Sequence, residues 1–219
     1  MKVAPEGRPF IAAGVVGLLG FALGGLALGG WWWIPAGVWL PVALWVPFFF
    51  RDPDPGGKRG PHLILAPASG RIVSVGRVDE PEFVRGAAQR VSIFMNVFDV
   101  HVNRVPASGV TEHRDYRPGK FFNATLDKAS EHNERLSVGI RTPAGPMLVR
   151  QIAGLIARRI VCDPRPGDRV VQGERLGLIR FGSRVDTFLP STVQLRVVVG
   201  DRTVAGRTVI AEWSTGGRA

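Results

Sequence analysis

Two hydropathy regimes divide this chain near residue 50. From Pro9 to Phe50 the sequence runs for 42 residues without Asp, Glu, Lys, Arg or His. A helix rises about 1.5 Å per residue and needs roughly 20 residues to cross a hydrocarbon core of about 30 Å. The run is too long for one crossing and long enough for two. It also exceeds the apolar core of a secretory signal, which is about 7–15 residues. We therefore expect a helical hairpin over residues 10–28 and 32–50, with Gly24-Gly25, Gly29-Gly30 and then Pro35 as the natural turning points. Trp31, Trp32 and Trp33 suit an interfacial aromatic belt at its far end. A re-entrant or surface-lying segment is the alternative.

Beyond residue 50 the period changes. Residues 51–61 (RDPDPGGKRGP) read as a linker, rich in Pro, Gly and charge. Short runs rich in Val and Ile follow, at residues 71–78, 90–95, 147–153, 193–199 and 208–212. Several alternate apolar with polar residues, the period of a half-buried strand. Residues 123–136 are compatible with a short helix, and residues 164–177 read as a β-turn-β unit with Gly at both ends. The expected architecture is an all-β domain over residues 52–219, with elements like those of lipoyl- or biotinyl-type sandwiches, behind a membrane anchor of residues 1–51. The sandwich likeness is an analogy of fold.

Charge orients the anchor. Lys2 and Arg8 precede the apolar run, and Arg51, Lys58 and Arg59 follow it. Basic flanks at both ends predict an even number of crossings with both termini in the cytoplasm. The chain has 28 Lys+Arg against 18 Asp+Glu. Setting aside Lys2, Arg8 and Glu6 leaves 26 basic and 17 acidic residues in 51–219, so the domain is drawn toward an anionic membrane surface. Its single Trp (Trp213) and single Tyr (Tyr116) argue against a nucleic-acid partner, which would use aromatics among the basic residues. One Cys, Cys162, excludes an internal disulfide and a multi-cysteine metal site.

Common catalytic signatures are missing. The four His residues lack the close pairing of a zinc-protease helix, and no phosphate-binding glycine loop occurs. Around Ser183 the sequence is Phe181-Gly182-Ser183-Arg184-Val185-Asp186, not a Gly-x-Ser-x-Gly elbow.

Four segments do carry a pattern: Phe98-Asp99-Val100-His101-Val102-Asn103-Arg104, Gly119-Lys120-Phe121-Phe122-Asn123-Ala124, the stretch from Gln151 to Ile160, and Arg180-Phe181-Gly182-Ser183-Arg184-Val185-Asp186. In order and spacing they resemble phosphatidylserine decarboxylase, in the short type found in archaea and many bacteria. Glu131-His132-Asn133-Glu134-Arg135 fits as well. The likeness covers nearly all of the soluble domain, from about Leu65 onward.

The resemblance implies a cofactor made from the chain itself. The Gly182-Ser183 bond would break autocatalytically, leaving a β chain of residues 1–182 and an α chain of residues 183–219 that stay together as one α/β unit, itself open to further oligomerisation. Ser183 would become a pyruvoyl group and capture the amine of phosphatidylserine as a Schiff base, releasing CO₂ and then phosphatidylethanolamine, with no metal. His101 matches the family histidine that transfers protons. Asn103 and Arg104 are candidates for holding the substrate phosphate or carboxylate. The resemblance also implies an enzyme at the cell membrane, with its catalytic domain on the cytoplasmic side.

One position departs from the family. Where its Ala-Pro-Ala-Asp-Gly stretch has an Asp that orients the histidine, this chain has Ala66-Pro67-Ala68-Ser69-Gly70. Ser69 accepts a hydrogen bond but brings no charge to an imidazolium. Asp99 and Asp115 are candidate substitutes. A non-cleaving, lipid-binding homologue of the same fold is the alternative reading of the whole chain.

Overall fold

The computed structural model describes residues 2–120, 133–154, 159–180 and 182–214. It divides into two compact units, Met1–Asp54 and Pro55–Ala219.

The first unit is a pair of helices, α1 (Arg8–Leu28) and α2 (Trp33–Phe49). With the short helical turns that precede them, they give two spans, Pro5–Leu28 and Gly30–Phe49, long and apolar enough to cross a membrane. The turn falls at Gly29, whose φ of +87° suits a residue without Cβ, and not at Gly24-Gly25. Those two glycines lie inside α1 and serve close approach instead. A Cβ on Gly24 would stand 2.8 Å from the Trp32 ring, and one on Gly25 would stand 2.7 Å from the Trp33 ring. Lower in the pair, Trp39 Nε1 donates to the Gly14 carbonyl at 2.9 Å. Small residues on one helix thus receive indoles from the other, the packing a lipid environment favours. Pro35 lies in the first turn of α2, where a missing N–H costs little.

Among the described residues, the regular structure of the second unit is all β. Its strands are β1 (Leu63–Leu65), β2 (Gly70–Glu80), β3 (Gly86–Met95), β4 (Val102–Arg104), β5 (Gly109–Arg117), β6 (Arg135–Thr142), β7 (Gly145–Ile152), β8 (Ile160–Cys162), β9 (Arg169–Val170), β10 (Arg175–Ile179), β11 (Ser183–Pro190), β12 (Gln194–Leu195), β13 (Arg202–Thr203) and β14 (Val209–Glu212). Eight of them form an antiparallel sheet in the order β13-β2-β3-β11-β7-β6-β5-β9. Two three-stranded sheets, β1-β14-β12 and β4-β10-β8, complete the fold. One face of the large sheet contributes Ile72, Val91, Ile93, Val138, Val149 and Val185 to the main core. The other carries a smaller cluster of Phe83, Ala88, Leu148 and Phe188.

Local pattern and observed strand agree best in β2, β3 and β7. Two expectations are corrected. The segment 164–177 is not a hairpin: β9 pairs with β5, whereas β10 pairs with β4 and β8. Gly173, at φ +85°, turns the chain from one sheet to the other. Within 193–199 only Gln194–Leu195 is strand, because an Asp201-braced turn takes over from Val198. Of the expected helix at 123–136, residues 123–132 lie outside the described residues, and Arg135 and Leu136 open β6.

Candidate active site

β11 is the most enclosed strand of the large sheet, hydrogen-bonded to β3 on one side and β7 on the other. Seven of its eight residues are buried. Its sequence Ser-Arg-Val-Asp-Thr-Phe-Leu-Pro places Val185 and Leu189 on the main core face and Phe188 on the other. Ser183 opens the strand, opposite Met95 of β3. Its side chain is fully buried, and among the described residues Oγ has no hydrogen-bond partner. A buried hydroxyl left unpaired costs about 1–3 kcal/mol; Ser92, Thr111 and Thr187 of the same sheet share that condition, and what sets Ser183 apart is the glycine before it.

Gly182, immediately before it, has φ +59°. Nothing described lies within 4 Å of the place where a Cβ would stand. The backbone conformation, rather than lack of room, selects glycine here.

His101 arrives at the same end of the sheet by a different route. β3 ends at Met95, the cross-strand neighbour of Ser183, and a tight turn leads to His101 just before β4. In that turn Asp99 Oδ2 accepts from the Asn96 N–H at 2.9 Å, and Asn96 Oδ1 accepts from the Phe98 N–H at 2.8 Å. His101 is fully buried, with Nδ1 3.0 Å from the Asp99 carbonyl oxygen. A carbonyl only accepts, so Nδ1 carries a proton, and a neutral ring held this way has its lone pair at Nε2. That is the tautomer able to take a proton from a hydroxyl.

Asn103 ties β4 to the two strands that flank β11. Gln151 Nε2 donates to Asn103 Oδ1 at 2.8 Å and approaches the Val161 carbonyl at 3.4 Å. Asn103 Nδ2 faces Met95 Sδ at 3.6 Å. These contacts determine which way both amides point, since neither carbonyl oxygen nor thioether donates. Gln151 stands opposite Val185, two residues along β11 from Ser183. Its Oε1 is buried with no partner among the described residues, as are Ser183 Oγ and Thr187 Oγ1 on the same sheet face. Sequence reasoning singled out Asn103 and missed this role for Gln151. The available signal was parity: Met147, Val149 and Gln151 share the core-facing positions of β7, and Gln151 is the polar one.

The remaining candidates are dispersed. Ser69 is buried, and its Oγ accepts from the Ala205 N–H at 2.9 Å, tying the start of β2 to the segment after β13. Asp99 gives one oxygen to its own turn and the other to Arg202 at 3.8 Å. Asp115 pairs with Arg117 at 2.6 Å on an exposed part of β5. Arg104 is half-buried, its N–H donating to the Pro67 carbonyl. Among the described residues no group of His, Cys, Asp and Glu is arranged to hold a metal ion.

A buried serine after a left-handed glycine lies opposite Met95, and the turn that leaves Met95 ends on the buried His101. Comparison with known proteins supplies its context. The family model described as phosphatidylserine decarboxylase matches residues 42–211. The chain belongs to the phosphatidylserine decarboxylase family. It is 46% identical over 213 residues to the phosphatidylserine decarboxylase proenzyme of Cupriavidus taiwanensis, covering 96% of this chain and 95% of that one.

In this member of the phosphatidylserine decarboxylase family, Ser183, Met95 and the turn leading to His101 share one end of the large sheet. A cleft of about 540 Å³ opens elsewhere, lined by Ser108, Thr142, Pro143 and Gln172 among others. Its 142–145 hairpin turn lies by Pro190, at the opposite end of β11. It shares no residue with the Ser183 set.

Proposed function

We propose that this chain is a membrane-anchored proenzyme that cuts itself between Gly182 and Ser183 and then decarboxylates phosphatidylserine to phosphatidylethanolamine. The observation that carries the reading is the buried, unpaired Ser183 hydroxyl following a glycine at φ +59°.

In the cleavage, Ser183 Oγ attacks the Gly182 carbonyl carbon and its proton passes to His101 Nε2. The Gly182–Ser183 C–N bond breaks, the freed amine takes a proton, and an ester joins Gly182 to Ser183 Oγ. Loss of the Ser183 Cα proton expels the Gly182 carboxylate and leaves dehydroalanine on the new N-terminus. Its imine tautomer takes up one water and releases ammonia, leaving a pyruvoyl group at position 183.

The residues present suit such a group. It would sit at the mouth of β11, with the unpaired Gln151 Oε1 on the same face. When formed, its ketone supplies an electron sink for a condensed amine losing CO₂. His101 would move the protons, and Asn103 holds β4 against Met95 and Gln151. The α chain, 183–219, brings β11 to the large sheet and β14 to a small one, so strand pairing retains it after cleavage. Ser69 occupies the position of the family's orienting acid. The two apolar helices hold the domain at the membrane where the lipid resides, with the catalytic domain on the cytoplasmic side.

Intact-mass analysis of the purified protein tests the proposal. The expected species are residues 1–182 and a pyruvoyl-blocked 183–219, the latter trapped by borohydride with labelled phosphatidylserine. Ser183→Ala should yield one 23.7 kDa chain and no ethanolamine lipid. An uncleaved wild-type chain after long incubation with lipid would identify a non-enzymatic homologue instead.

A further inference from the structure

We propose that two turn tips beside the active end of the large sheet, carrying Phe98, Val198 and Val199, form a docking surface for an anionic lipid bilayer. The inference rests on the lipid-decarboxylase reading and adds the surface through which the β domain meets its substrate's membrane.

Phe98 is 65% exposed, Val198 66% and Val199 58%. Single exposed apolar residues are ordinary, but three on adjoining turns are not scattered. Neither turn is loose. Phe98 sits in the Asn96–Asp99 turn, held by the two side-chain bonds described above and by the Asp99 N–H to the Asn96 carbonyl at 3.0 Å. Val198 and Val199 sit in a turn closed by the Val198 N–H to Asp201 Oδ2 at 2.9 Å and the Asp201 N–H to the Val198 carbonyl at 3.2 Å. Rigid bracing keeps these side chains out of the core.

The two tips are joined to each other and to the site. Arg202 Nη1 reaches Asp99 Oδ1 at 3.8 Å, linking one turn to the other. The Phe98 turn connects Met95, opposite Ser183, to His101. The valine turn packs back on the start of β2, where Gly200 N–H donates to the Ile72 carbonyl.

Charge selects the occupant. Arg202 and Arg71 are cross-strand neighbours, both exposed beside the apolar tips. Asp99 and Asp201 each direct an oxygen to backbone N–H groups of their own turns, and the other Asp99 oxygen faces Arg202. Apolar tips flanked by arginines, on a domain with a large excess of basic residues, match the hydrocarbon and phosphate layers of an anionic leaflet.

The full-length protein in vesicles containing phosphatidylserine tests this. A spin label is placed at Val198→Cys, with Val171→Cys, exposed near the opposite end of the sheet, as control. Cys162 is buried and takes no label. The expected result is collision with dissolved oxygen exceeding that with a water-soluble nickel complex at 198, and the reverse at 171. Val199→Cys serves if Val198→Cys does not fold. The same measurement on the Ser183→Ala proenzyme reads docking apart from catalysis. In the active protein, Phe98→Asp with Val198→Asp should raise KM for vesicle lipid by about tenfold and leave self-cleavage and kcat unchanged. Water-like accessibility at 198, or spin–spin broadening from a second copy, would overturn the proposal.

Discussion

Arg184 and Asp186 form a fully buried ion pair on β11, with Arg184 Nε 2.7 Å from Oδ1 and Nη2 2.8 Å from Oδ2. They lie two residues apart on one strand, on the face opposite Val185, so each side chain clasps the other without help from a turn. The pair begins one residue after Ser183. In the proposed cleavage it would brace the segment that becomes the N-terminus of the α chain.

Asp186→Ala removes both charge-assisted bonds from a buried guanidinium. The expected destabilisation is about 3–5 kcal/mol, read as a large drop in the thermal unfolding midpoint. Replacing the pair together, Arg184→Met with Asp186→Leu, should recover most of that loss. A single variant as stable as wild type would show that the pair contributes nothing.

Gly182→Ala leaves space undisturbed but forces a Cβ into a left-handed conformation, which costs about 1–2 kcal/mol. Self-cleavage should slow by roughly tenfold, followed by gel analysis of the 183–219 fragment over time.

His101→Asn keeps a donor near the position of Nδ1, able to serve the Asp99 carbonyl, and deletes the basic nitrogen. The expected product is a folded, uncleaved chain. Rapid cleavage of this variant would assign the proton transfer to another group. Ser69→Asp places a carboxylate at the position the family uses to orient the histidine, and faster cleavage is expected in a time course of fragment release.

Gln151→Met removes the amide but keeps length and apolar volume. It leaves Asn103 Oδ1 without the donor described here, costing about 1–3 kcal/mol. A slower decarboxylation at intact cleavage, measured on purified α/β protein, is expected if Oε1 serves the substrate.

Burial pushes the Cys162 thiol up to about 12, against an ordinary value near 9. The folded state then holds its proton where the unfolded state releases it. Stability from this residue is complete below about pH 9 and is lost as pH rises from there to about 12. Cys162→Ala should flatten that alkaline decline in unfolding experiments, and iodoacetamide at pH 8 should leave the folded wild-type thiol unmodified.

Much of the protein was legible in one dimension. A run of 42 uncharged residues needs a nonaqueous partner wherever the chain goes, so the helix pair followed from composition alone. Alternation along β2, β3 and β7 likewise marked strands, because period two and burial on one face are local properties. Gly182-Ser183 stood out because its neighbours form a recognisable string.

Pairing decided the rest. Gly24-Gly25 reads as a turn until the indoles of Trp32 and Trp33 show what lies against them. Residues 164–177 read as a hairpin until β9 and β10 join different sheets. The link from Gln151 to Asn103 spans 48 positions, and Arg202 with Asp99 joins the Phe98 turn to the valine turn. Periodicity records which face of an element turns inward. Which residues then touch depends on strand register and sheet order, set by cooperative packing of segments far apart in the chain.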